Sequence, residues 1–409
     1  MIHYIWNVVL PVQQRPTIFG MEETAVPIHL TGITWSHSRG YPPMVAVSQR
    51  YEELHPEIRI TWEKRSLANF ESQSIEDLAQ RYDMLVLDHP WTGRAVASQI
   101  LIPLNELLPP DFLEDQKRNS IGPSYRSYTM QGQQIALPID GAAPVAVYRQ
   151  DLLEKAGSKL PETWEDVLSL AGGRGVIFAG GPVYTLLDFF SLCATIAGGD
   201  ETLYGEKELV PHAVGAEALE RQRELVALCD RALFEMNPIQ VYEEMSRADS
   251  PYLYSPFIFG YVNYFRPGYG ERVLKAANVV SYHGTMLKTT LGGTGLAVSA
   301  NAKNRKEIAD FCQYVASEEI QRTLFFDAGG QPGYKTAWED RWVNERSNGF
   351  FKDTADTLEH CSIRPRYNGY MDLQDQGGFI VQEYMKTGTD VKGALEKLNA
   401  LYLKSRRGT

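Results

Sequence analysis

In the stretch LTGITWSHSRGYPPMVAVSQRYEEL, Leu30 to Leu54, an indole, an imidazole and a guanidinium stand on alternate residues: Trp35, His37 and Arg39. Further along, Asp88 and His89 are adjacent, with Trp91 two residues on, and Asp140 is a lone acid in an apolar setting. Two chemistries use such side chains. One is proton transfer, with Asp88 and His89 as an acid/base couple. The other is recognition: aromatic faces stack on the C–H faces of sugar rings, and carboxylate, imidazole and guanidinium groups hydrogen-bond vicinal hydroxyls. The catalytic choice lacks support from strict spacing. There is no HExxH, GxSxG or GxxxxGK[ST], and no GxGxxG following a strand. The plain alternative for Asp88 is a cap on the turn that follows, with His89 in a loop. A carboxylate pair for glycoside hydrolysis needs a separation that spacing does not set. The glycine runs at 172–176 and 292–295 serve turn geometry more often than phosphate binding.

The surrounding pattern predicts the elements that hold these residues. Ile28 and Leu30, then Ile33 and Trp35, suggest a strand whose phase slips at Gly32. Pro42 and Pro43 suit a first helical turn, and Met44, Val47, Tyr51 and Leu54 follow at helical spacing. Ile58, Ile60 and Trp62 alternate as a second strand, and Met84 to Asp88 is a short apolar run of the kind buried on both faces. Strands alternating with helices imply a parallel sheet, whose ligands sit beyond the carboxyl ends of its strands. Loops at those ends carry Trp35, His37 and Arg39; then Asp88, His89 and Trp91; and, much later, Gly292, Gly293 and Thr294. The text IALPIDGAAPVAVYRQDLL, broken at Pro138 and Gly141, reads as a crossing segment, and GVIFAGG as a buried strand. From 237 to 270 the chain is too aromatic and too interrupted for one regular element.

Composition narrows the function classes. The chain has 409 residues, 44% hydrophobic and 22% charged, enough for two domains with their own cores. Its net charge of −11 argues against nucleic acid and anionic membrane surfaces. Cys193, Cys229, Cys312 and Cys361 show no metal-ligand spacing and read as small buried hydrophobes. The opening MIHYIWNVVLPVQQRP is apolar but lacks a basic leader and a small-x-small cleavage site. No export signal is expected from it, and no later run is long enough to span a bilayer.

GITWSHSRG with its following helix, HPEIRITWEKR, YDMLVLDHPWTG before ILIPLNELLP, IALPIDGAAPVAVYRQDLLEKAG with LPETWEDVLSLA, and GGTGLAVSANAKNRKEIADFCQYVASEEIQ occur in this order. Together they resemble the extracellular solute-binding proteins of ABC importers, in the carbohydrate branch (family 1). The resemblance implies an α/β, two-lobed, periplasmic-binding-protein-like fold, each lobe a mostly parallel sheet with flanking helices, connected by hinges. It implies an N-terminal extension at 1–27, a first lobe from 28–138 plus 291–333, and a second from 139–290 plus 334–409. The solute, a sugar, polyol or sugar acid, would lie between the lobes, with Asp140 at the crossing and Tyr184, Phe257, Tyr261 and Tyr264 offering rings from the second lobe. No cofactor is expected. The expected partners are the small-molecule solute and the permease's transmembrane subunits, with no nucleic acid and a monomeric chain. The expected location is outside the cytoplasm, the missing signal keeping a cytoplasmic ligand sensor as an alternative. A carbohydrate-active hydrolase using Asp88 and Asp140 is a further one. Arg39 beside His37 is more cationic than a neutral sugar requires, which keeps an acidic or phosphorylated ligand in view.

Overall fold

The computed structural model describes residues 27–173 and 175–406. The expected N-terminal extension therefore lies, apart from Pro27, outside the described residues.

The first sheet has five strands in the spatial order Ile58–Arg65, Ile28–Trp35, Met84–Leu87, Thr294–Val298, Leu137–Asp140. The first three are parallel neighbours, and Thr294–Val298 runs antiparallel to both of its partners. The phase slip expected at Gly32 does not occur. Pairing is unbroken from Ile28 opposite Ile58 to Trp35 opposite Arg65. Gly32 is there for space: a Cβ would sit 2.4 Å from the Trp62 ring. The helix Tyr41–Leu54 starts with its prolines in the first turn and buries Met44, Val47 and Tyr51 as the spacing predicts. Ser48 on the same face accepts a 2.8 Å bond from the Trp62 indole N–H. All four residues of Met84–Leu87 are buried, as a strand covered on both faces requires.

The second sheet is smaller and its direction differs from expectation. Tyr254–Phe259, Pro144–Tyr148 and Lys275–Ala277 pair antiparallel. The long connections between these strands allow either direction, and the one adopted returns the end of Tyr254–Phe259 to the crossing, where Gly260 N–H donates to Ala143 O at 3.2 Å. GVIFAGG is buried but joins this sheet through a single parallel bridge, Val176 to Tyr254. The aromatic stretch resolves into the helix Pro238–Ser246, the strand Tyr254–Phe259 and a short helical turn, Val262–Phe265. Around this sheet the helices Pro182–Ile196 and Tyr370–Thr387 pack on each other, and Val391–Arg406 packs on the latter. Asp390 caps that last helix, its carboxylate accepting from Gly393 N–H at 2.9 Å. All four cysteines are free, three of them buried.

Between the sheets the chain crosses side by side in three places. Gly141 N–H donates to Gln331 O at 3.1 Å, and Gly292 N–H to Ala142 O at 2.7 Å. Gly293 adopts φ +86°, and a Cβ there would meet Asp140 O at 2.3 Å. Only glycine fits both the backbone and the approach.

Candidate functional site

The crossings floor a cleft that encloses about 700 Å³ of empty space, part of it open to solvent. Ala142, Gly292, Gly293 and Thr294 lie at its base. One wall comes from loops after first-sheet strands: Trp35 and Arg39, Asp88, Pro90 and Trp91, with Leu67 and Phe70 from the helix Leu67–Ser72. The opposite wall carries Val183, Tyr184 and Leu187, then Pro238, Phe259 and Tyr261, then Arg364, Met371 and Gln374.

Trp35 is both wall and packing. It is 3% exposed, tilted on Phe70 at 5.9 Å and edge-on to Tyr261 at 6.0 Å. Gly40 leaves room for it, since a Cβ there would sit 2.4 Å from the indole nitrogen. The next residues turn back under this ring. His37 stacks on Trp35 at 5.3 Å and meets Tyr261 edge-on at 4.8 Å, so it stands behind the cleft wall. Its Nδ1 accepts from Arg39 N–H at 3.0 Å, which places the ring proton on Nε2. Burial, then the charge on Arg39, lowers its pKa to about 3.

Arg39 is fully engaged. Nε donates to Asp140 Oδ2 at 2.8 Å, Nη2 to Asp140 Oδ1, and Nη1 to Gly260 O at 2.5 Å. Burial works against its charge, and Asp140 more than offsets that, raising the guanidinium pKa. Burial raises the Asp140 pKa in turn, and Arg39 pulls part of it back. Asp140 is thus the counter-ion beneath Arg39 and not a cleft residue. The sequence reading of it as a ligand contact is corrected, because its carboxylate faces the crossing.

Asp88 caps the turn His89–Trp91, its Oδ1 accepting from His89 N–H at 2.8 Å. Its Oδ2 accepts from Arg364 Nη2 at 2.5 Å. Burial raises the carboxyl pKa, but Arg364 and His89 outweigh it and bring it to about 2. His89 is wholly buried behind the wall, edge-on to Tyr128 at 6.2 Å. Burial and Arg364 lower its pKa to about 4. An aspartate ionised at neutral pH and a buried neutral histidine do not form a proton-transfer couple at the cleft, so His89 too is corrected. Phe257 and Tyr264 also leave the candidate set. Phe257 lies two residues inside the strand end and stacks on Trp164 at 6.2 Å. Tyr264 stacks on Tyr242 at 4.8 Å with its hydroxyl donating to Glu243. Phe259, at the strand's end, takes the place expected of Phe257.

Comparison with known proteins agrees with this geometry. The sequence model of the bacterial extracellular solute-binding proteins matches residues 34–322, more than half of the chain. The chain belongs to the bacterial extracellular solute-binding protein family. A probable ABC transporter-binding protein of Deinococcus radiodurans is 25% identical over 312 residues, 72% of either chain. In fold, the chain is similar to maltose-bound MalE3 of T. maritima, with TM-score 0.78 and 17% identity over 93% of this chain and all of that one. A ribitol-bound ABC transporter solute-binding protein of Agrobacterium radiobacter gives 0.76 and 18% over 94% and 100%. The α/β, two-lobed, hinge-connected class expected from the sequence is therefore the fold of this solute-binding protein.

The reading from the sequence named Tyr184 and Tyr261 on the opposite wall of its cleft but missed Arg364, Met371 and Gln374 beside them. Arg364 donates to Leu291 O at 3.1 Å, to Gln374 Oε1 at 3.2 Å and to Asp88. The first of the two arginines in CSIRPRYNGYM carries no local sign of its role, since its partner Asp88 is 276 residues away in the chain. Phe70, Met371 and Leu187 look like ordinary helix-core residues by spacing, and nothing in the sequence separates them from packing.

Proposed function

We propose that this solute-binding protein captures an uncharged sugar or polyol between its lobes and delivers it to the transmembrane subunits of an importer. The carrying observation is electrostatic: each arginine lining the cleft is already ion-paired, Arg39 with Asp140 and Arg364 with Asp88. An acidic or phosphorylated solute would need an uncommitted cation and would repel Asp88. The lean toward such a ligand that Arg39 prompted is withdrawn. Rings from Trp35, Phe70, Trp91, Tyr184, Phe259 and Tyr261 supply the stacking faces that a pyranose or polyol chain uses. The fold relatives bound to maltose and to ribitol support this class.

The direct contacts in this reading are Trp35, Arg39, Asp88, Trp91, Tyr184, Tyr261, Gly292, Gly293 and Thr294, joined by Phe70, Phe259, Arg364 and Gln374. The lobes are 28–138 plus 291–333 and 139–290 plus 334–409, which the membership of the two sheets supports except at the first crossing, where the first-sheet strand Leu137–Asp140 runs two residues past 138. The chain acts outside the cytoplasm as a monomer, without catalysis and without a cofactor. A thermal-shift screen tests it, with neutral sugars and polyols against sugar acids and sugar phosphates. A neutral solute at a hundredfold over its Kd is expected to add about 2.7 kcal/mol of stability. Stabilisation by the acids or phosphates alone refutes the proposal.

A further inference from the structure

The segment Ser362–Tyr367, SIRPRY, plays no part in the site read from the sequence, yet it touches both lobes. It is tied to the second-lobe side, where Ser362 N–H donates to Thr289 O at 2.9 Å. It then leads into the helix Tyr370–Thr387, packed on Pro182–Ile196. From this strap Arg364 reaches Asp88 of the first lobe at 2.5 Å. Two residues on, Arg366 Nη1 donates to three first-lobe carbonyls, Arg126 O at 2.9 Å, Ser127 O at 2.8 Å and Thr129 O at 2.9 Å. Pro365 between them fixes its own φ and disfavours a helical backbone at Arg364, which stiffens the strap that carries both arginines. The strap's backbone is seated as closely as its side chains. Gly93, in the helix Thr92–Ser98 of the first lobe, would place a Cβ 1.7 Å from Arg366 O.

We propose that Ser362–Tyr367 is a closure clasp, in which Arg366 and the Gly93 seat hold the lobes shut while Arg364, on the same strap, lines the cleft. The proposal rests on the reading of the cleft as a solute trap. Arg366 is a positioning residue: it is absent from the cleft lining and acts through Arg364 and through the lobe contact. Charged N–H groups on carbonyls belong to the stronger class of hydrogen bond, and the two hydrogens of this one nitrogen, one of them shared between two carbonyls, require the turn 126–129 and the strap to be in register. Opening the lobes breaks all three together and uncovers Gly93. The cost of opening is thereby set by residues that never meet the solute, and the apparent affinity for every solute scales with the closed population.

The experiment uses the full chain, with Gly93→Ala to wedge the seat, Arg366→Gln to remove the charge and Arg366→Lys as the conservative variant. Small-angle scattering of the unliganded protein is expected to give a larger radius of gyration for Gly93→Ala and Arg366→Gln than for wild type, with Arg366→Lys between. Titration with maltose and with ribitol is expected to show Kd raised by one common factor, about tenfold, for each solute that wild type binds. Unchanged scattering with unchanged Kd overturns the clasp. So does a factor that differs between the two solutes, which would mark a local contact. If wild type binds neither solute, the neutral-ligand reading suffers while scattering still judges the clasp. If Gly93→Ala does not fold, the two Arg366 variants carry the test.

Discussion

At Asp88 a single carboxylate caps a turn, faces a ligand cleft and balances Arg364. Removing one member of such a pair strands the other charge where water is scarce. Arg364→Met is therefore expected to cost about 3–5 kcal/mol in urea denaturation, and adding Asp88→Asn to recover most of it. No recovery in the double variant would mean that Arg364 matters for its bonds to Leu291 and Gln374 instead. The aromatic wall divides by burial. Tyr184 is half-buried at the start of its helix and lines the cleft. Tyr184→Ala should weaken solute binding by about 1–3 kcal/mol, read by calorimetry, with melting little changed. Trp35 is different, because its ring is locked between Phe70, His37 and Tyr261 over Gly40. Trp35→Ala should lower both affinity and stability, the latter by about 3–5 kcal/mol. Full stability in that variant would contradict its place in the packing.

At the scale of elements, the crossing strands convert two separate sheets into one site. Gly293 is the narrowest point, with a left-handed backbone and the Asp140 carbonyl 2.3 Å from where a methyl would stand. Gly293→Ala is expected to cost at least about 2 kcal/mol and to weaken solute binding, because the clash is with backbone that cannot rotate away. Wild-type melting in that variant would show that the crossing relaxes freely. The first sheet was readable because each strand carries its own period and each following loop its own polar residues. Trp35, Arg39, Asp88 and Trp91 were found in that way. The second sheet was less so: its strands Pro144–Tyr148 and Tyr254–Phe259 are joined across more than a hundred residues, and no local pattern sets their direction. Arg364, Met371 and Gln374 were invisible for the same reason, since Met371 and Gln374 reach the cleft through helix packing and Arg364 through a partner 276 residues away. His37 and Asp140 were sound as chemistry but misplaced by one layer, a distinction that depends on which way a loop turns back.

Over the whole molecule, two buried histidines are held neutral by the fold, and this shapes its response to acid. His89 is lowered from 6.5 to about 4, first by burial and then by Arg364. His37 is lowered from 6.5 to about 3, first by burial and then by Arg39. As pH falls below 6.5 the unfolded chain takes up protons that these folded rings refuse, so stability drops with falling pH. The slope approaches about 1.4 kcal/mol per pH unit for each histidine, through the window from 6.5 to about 4 for His89 and on to about 3 for His37. Asp88 extends the loss. Its carboxyl is held from 3.8 down to about 2, so its contribution is present above 3.8 and vanishes as pH falls through that range. Urea denaturation at pH 7, 5.5 and 4.5 should show the decline, and His37→Asn should remove roughly half of the slope between pH 6.5 and 4.5. A flat wild-type profile across that interval would mean that one or both rings accept a proton in place, against their burial and the nearby Arg39 and Arg364. The cleft shares this fate, because both histidines back its first-lobe wall. Solute affinity is therefore expected to hold until unfolding begins and then to fall with it.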